Sequence, residues 1–67
     1  MTKRQKQVLD FVLKFWEEHG YSPSYEDIGS GLGIASKSNV HRLIYSLVNR
    51  GFLRNQPGKS RSLLVVL

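Results

Sequence analysis

The sequence predicts a mainly α domain of three helices closed by a small β-hairpin. Three observations point there. Apolar residues recur at helical spacing in three runs, each preceded by a hydroxyl residue and followed by a glycine. The second and third runs are separated by a few residues that include Gly33. Near the C-terminus two apolar segments flank "PGKS", where Pro57-Gly58 is strong turn chemistry.

The first helix is expected from about Lys3 to His19. Thr2 and Gln5 make a capping box, in which the hydroxyl accepts from an early backbone N–H and the amide reaches back. Gly20 closes the helix in the left-handed conformation. Val8, Leu9, Val12 and Trp16 form its core stripe. Phe11, Leu13 and Phe15 widen that stripe to roughly 200° of arc, against the ~100° that a surface helix needs. Either this helix is enclosed on several sides, or part of it meets another subunit.

"GYSPS" is a connector. Pro23 biases Ser22 towards an extended conformation, which allows a very short strand. Ser24 caps the second helix, about Tyr25 to Gly31, and Asp27 suits the positive end of its dipole. Ile28 and Leu32 are its core residues. Gly29 and Gly31 each weaken it by ~1 kcal/mol relative to alanine. Gly29 has a reason, since a residue without a side chain lets another helix cross closely; Gly31 has no comparable one in the sequence. Gly33 suits the turn, Ile34 plugs it, and Ser36 caps a third helix that runs to about Arg50 before Gly51. "FLRNQ" and "RSLLVVL" then form the hairpin, with "LLVVL" read as a buried strand.

Two short helices joined by a glycine-containing turn are a helix-turn-helix, and a hairpin after the second of them is a wing. The expected fold is therefore a three-helix winged helix-turn-helix. The apolar position after the turn is Val40, one residue later than in the common pattern, so the turn is one residue longer.

The chain has 67 residues, room for one domain spanning 1–67. It has no cysteine, hence no disulfide and no thiolate metal site, and His19 and His41 do not make a structural zinc site by themselves. The fold must rest on its apolar core, with no cofactor expected. Absence of cysteine fits a reducing cytoplasm, the expected location. No stretch is long or apolar enough to span a membrane. The basic "MTKRQKQ" is followed by acids and a tryptophan and does not resemble a signal peptide.

The net charge is +5, and it is unevenly placed. Residues 1–27 hold four cations against all five acids, net −1; residues 28–67 hold six cations and no acid, net +6. Such asymmetry favours a polyanion, most often nucleic acid. The ordinary alternative is charge for solubility.

On a wheel with Val40 at zero and ~100° per residue, Leu43, Ile44 and Leu47 fall within about 60° of it. Ser38, Arg42, Tyr45 and Asn49 fall on the far side, with Asn39 and His41 on the flanks. A helix with such side chains near its N-terminus suits a DNA major groove. Arg42 can bind guanine bidentately, Asn39 suits adenine, Ser38 adapts to either, and His41 donates or accepts. Lys37, Tyr45, Arg54 and the wing-tip residues Lys59, Ser60 and Arg61 are expected at the DNA backbone or minor groove. Thr2, Lys3 and Arg4 at a helix start can hold a phosphate. Double-stranded DNA is thus the expected partner, with no small-molecule substrate.

Thr2, Arg4 and Gln5, "VLDFV" at 8–12, Gly20, Pro23, Glu26, Ile28, "LGI" at 32–34, Ser36, Leu47, Arg50-Gly51 and "GKSRSL" at 58–63 form one joint pattern. It resembles the N-terminal DNA-binding domain of the LexA repressors, a winged helix, over nearly the whole chain. The longer turn of that family accounts for the shift to Val40. The resemblance implies a small transcriptional regulator of the repressing kind that reads bases with Ser36, Ser38, Asn39, His41 and Arg42. Well-known members carry two glutamates where this chain has His41 and Arg42, and often a proline where it has Lys37. Acceptors suited to cytosine amino groups are thereby replaced by donors, so the SOS-box sequence of those repressors is not the expected site. LexA repressors also carry a C-terminal domain that dimerises them and cleaves itself; the sequence stops at Leu67, after the wing, and is expected to act without it. One such module offers few base contacts, so tight binding calls for a homodimer or a second module.

An enzyme is not expected. No cysteine and no phosphate loop appears; "GSGLG" lies within a helix with no strand before it. The rival reading is a protein-interaction module that uses Phe11, Leu13 and Phe15 or the strand edge in "LLVVL". RNA is a lesser option, because its narrow major groove admits a helix poorly.

Overall fold

Each helix begins at a hydroxyl that satisfies its first amides. In the computed structural model, which describes residues 1–56 and 61–66, α1 spans Lys3–His19, α2 Tyr25–Leu32 and α3 Lys37–Asn49. Strands β1 (Leu53–Arg54) and β2 (Leu64–Val65) follow. Thr2 Oγ1 accepts from the Gln5 amide at 3.1 Å, and Gln5 Oε1 accepts from the Thr2 amide at 3.0 Å. Ser24 and Asp27 make the same reciprocal pair at 3.0 and 3.1 Å, so Asp27 is part of the cap as well as a partner for the dipole. Ser36 Oγ accepts from the Asn39 amide at 3.4 Å.

The ends follow the sequence to within a residue. Gly20 takes φ 77° after α1, and α2 runs one residue past Gly31 before Gly33 turns the chain at φ 69°. Helix α3 stops at Asn49, with Arg50 as its right-handed cap and Gly51 next in the left-handed region.

The core draws on all three helices, β1 and the residue before β2. Val8 and Val12 of α1, Ile28 of α2, Val40, Ile44 and Leu47 of α3, Leu53 of β1 and Leu63 just before β2 are all buried. Gly29 is the crossing point expected: a Cβ there would lie 3.2 Å from the Ile34 carbonyl oxygen and 3.4 Å from Val40 Cγ2. Gly31 also has a reason. A Cβ there would collide with the ring of Phe11, which is seated over α2.

That seat helps explain the wide apolar arc of α1. Leu9, Phe11 and Trp16 pack against the core from its margins. The Phe15 ring lies 4.2 Å from His19 and 5.6 Å from Tyr21. Phe11, Leu13 and Phe15, expected as exposed docking residues in the protein-interaction reading, are half-buried.

The wing is antiparallel, with Leu53 opposite Val65 and Arg54 opposite Leu64. It is shorter than the apolar segments suggested. The buried Leu63 has both backbone groups taken by side chains: its N–H donates to Ser22 Oγ at 2.9 Å and its carbonyl accepts from Trp16 Nε1 at 2.8 Å. Those bonds satisfy a buried peptide group without a strand partner. They also replace the short strand that Ser22 allowed. "LLVVL" is not buried throughout: Leu63 is buried and Val65 half-buried, whereas Leu64 and Val66 are exposed. This is the alternation of a strand with one covered face. The Pro57-Gly58 turn and Leu67 lie outside the described residues. With the hairpin set after a helix-turn-helix, the architecture is a winged helix-turn-helix. Among the described residues no helix is long and apolar enough to cross a membrane.

Candidate nucleic-acid interface

Burial of Val40, Ile44 and Leu47 fixes the rotation of α3, and so fixes which side chains it presents. Lys37, Ser38, Asn39, His41, Arg42, Tyr45 and Asn49 are all exposed, Tyr45 to 68%. Ser36 is exposed too, although its hydroxyl serves as the cap of α3.

Two concavities flank this ridge. On one side Lys37, Ser38, His41, Arg42 and Tyr45 of α3 face Tyr25 at the start of α2 and Asn55 just beyond β1. The Tyr25 and His41 rings meet at 4.6 Å and 72°, and Asn55 Nδ2 donates to the Tyr25 hydroxyl at 3.2 Å. On the other side Asn39 and Arg42 share a hollow with Ser36 and Arg4. The packing of α1 thus brings Arg4 beside the α3 ridge. Its guanidinium donates to Gln7 Oε1 at 3.2 Å and to the Leu32 carbonyl at 3.5 Å. Lys3 is exposed next to it, while the Thr2 side chain is engaged in the α1 cap.

The wing contributes unevenly. Arg54 is exposed beside Asn55 and Val66. Arg61 is exposed but already paired within the chain. Its Nη1 lies 2.8 Å from Asp27 Oδ2 and 3.4 Å from the Ser22 carbonyl, and its guanidinium carbon lies 5.2 Å from the centre of the Tyr21 ring. It also takes a left-handed φ of 53° without being glycine. Lys59 and Ser60 lie outside the described residues. The Asp27 carboxyl is held below its ordinary range, first by the Ser24 backbone N–H, then by the Ser24 hydroxyl and the positive charge of Arg61, against some desolvation. No group of three or more metal-ligating side chains occurs among the described residues.

The LexA DNA binding domain family matches residues 1–62. The chain belongs to the LexA DNA-binding domain family. Similar proteins include the LexA repressors of Koribacter versatilis, 39% identical over 98% of the chain, and of Pelagibacter ubique, 46% identical over the same share. A third is the LexA repressor of Novosphingobium aromaticivorans, 42% identical over 98% of the chain. The chain spans 31%, 29% and 28% of those relatives' lengths, respectively. Within the LexA DNA-binding domain fold, Tyr25 and Asn55 line the hollow beside the α3 ridge, a placement that sequence reasoning missed. A tyrosine in the first turn of the second helix was the available signal, since that position adjoins the α3 ridge once Gly29 lets the two helices meet.

Proposed function

We propose that the chain binds double-stranded DNA sequence-specifically as the DNA-binding module of a transcriptional repressor. Helix α3 enters the major groove, and the wing lies on the backbone or minor groove. The observation that carries this is the single exposed face of α3, where Ser38, Asn39, His41 and Arg42 stand together between two hollows. Membership of the LexA DNA-binding domain family and a second half of charge +6 support it. Ser36, Ser38, Asn39, His41 and Arg42 read bases; Lys3, Arg4, Lys37, Tyr45, Arg54, Lys59 and Ser60 hold the backbone, and Thr2 sets the helix start beside it. The part of Arg61 is indirect, through its hold on α2. Donors at His41 and Arg42 favour guanine over the cytosine amino group, so the site differs from the SOS box. The working form is a homodimer or carries a second module.

Selection from random duplexes at near-physiological salt tests this. A recovered motif, read as an inverted repeat for a dimer, is the expected result. Weak, salt-sensitive retention without a motif would overturn sequence-specific binding.

A further inference from the structure

We infer that Tyr25 is a positioning residue for His41, and that Asn55 at the base of the wing holds Tyr25 in place. The inference rests on the DNA reading above and deepens it. An exposed imidazole on a helix ordinarily samples several rotamers and reads a base poorly. His41 is exposed, yet its ring meets a tyrosine ring at 4.6 Å in a T-shaped contact, a preferred arrangement for ring pairs. Tyr25 is itself constrained. It is the first residue of α2, immediately after the reciprocal Ser24–Asp27 cap, and its ring packs against the core margin. At the far end its hydroxyl accepts from Asn55 Nδ2 at 3.2 Å. Asn55 directly follows Arg54, which pairs with Leu64. A chain of three side chains therefore runs from the wing base through α2 to the α3 ridge. Base discrimination under His41 depends on where the wing stands.

Two readouts test this on the intact protein. In free protein, the imidazole proton shifts of His41 should move on Tyr25→Leu and barely move on Tyr25→Phe, which keeps the ring. On DNA, Tyr25→Leu should lower preference at the same base-pair position that His41→Ala affects, by about three- to ten-fold, the size of one neutral hydrogen bond. The double variant should match His41→Ala alone. Asn55→Ala, an exposed change that keeps the fold, should give a smaller loss at that same position. A uniform loss across all sequences, an additive double variant or unmoved His41 shifts would overturn the inference. If the wild type selects a motif and His41→Ala alters one position while Tyr25→Leu alters none, the inference fails and the DNA reading stands. If the wild type selects no motif, both fail.

Discussion

Gln5 Nε2 donates to Ser46 Oγ at 2.6 Å from a residue only 7% exposed, joining the start of α1 to the last turn of α3. The oxygen of the same amide, Oε1, accepts from the Thr2 backbone N–H in the α1 cap. Gln5→Ala removes half a capping box and leaves Ser46 without this partner, so it should cost about 2 kcal/mol. Urea unfolding checks this, and a change under about 0.5 kcal/mol would show that the bond does not hold the helices together.

Gly31→Ala sets a gain in helix propensity of ~1 kcal/mol against displacement of the Phe11 ring. The displacement should win, and thermal stability should fall. Adding Phe11→Leu should restore most of the loss relative to Phe11→Leu alone. A double-mutant cycle with no coupling would place the cost of Gly31→Ala elsewhere.

Acid should loosen the join between α2 and the wing. The folded Asp27 carboxyl has its pKa below the ordinary 3.8, chiefly through the Ser24 backbone N–H. Its contribution is therefore complete above that ordinary value and is lost as pH falls through the lower folded value. Unfolding midpoints of Asp27→Asn should already be reduced near pH 7 and should fall less between about pH 4 and pH 2 than those of the wild type. Parallel curves for the two proteins would contradict this.

The arginines should separate by what they respond to. Arg42→Ala should cost about 1–3 kcal/mol on the selected site and relax one base position. Arg54→Ala should weaken all sequences alike and reduce the salt slope by about 1. Arg61→Ala should lower thermal stability and leave the salt slope nearly unchanged, because its guanidinium already faces Asp27. Titrations at several salt concentrations distinguish the three; a reduced slope for Arg61→Ala would mean that it leaves Asp27 for a phosphate.

Helix starts and stops were legible because their causes are local. Thr2 with Gln5, Ser24 with Asp27, and Gly20 and Gly33 act within a few residues of themselves. The exposed face of α3 followed from the spacing of Val40, Ile44 and Leu47 alone. What escaped the sequence lies far apart in it. Phe11 fills the space over Gly31, Ser22 reaches Leu63 across 41 residues, and Tyr25 meets His41. No periodicity encodes such pairs. They also set the length of the wing: with both Leu63 backbone groups taken by Ser22 and Trp16, ladder pairing begins only at Leu64. Arg61 shows the same limit, since its pairing with Asp27, 34 residues away, cannot be read from the charge pattern near the wing tip.

The indole N–H bonded to the Leu63 carbonyl has an optical consequence. Trp16 is the protein's single tryptophan, and its emission reports on one hydrogen bond at the root of the wing. Release of the wing exchanges that carbonyl for water and should shift the emission to the red. A wing that stays seated while DNA binds should leave the band where it is. The chain thus carries its own fluorophore at the joint between hairpin and first helix, so wing movement can be followed in real time without attaching a dye.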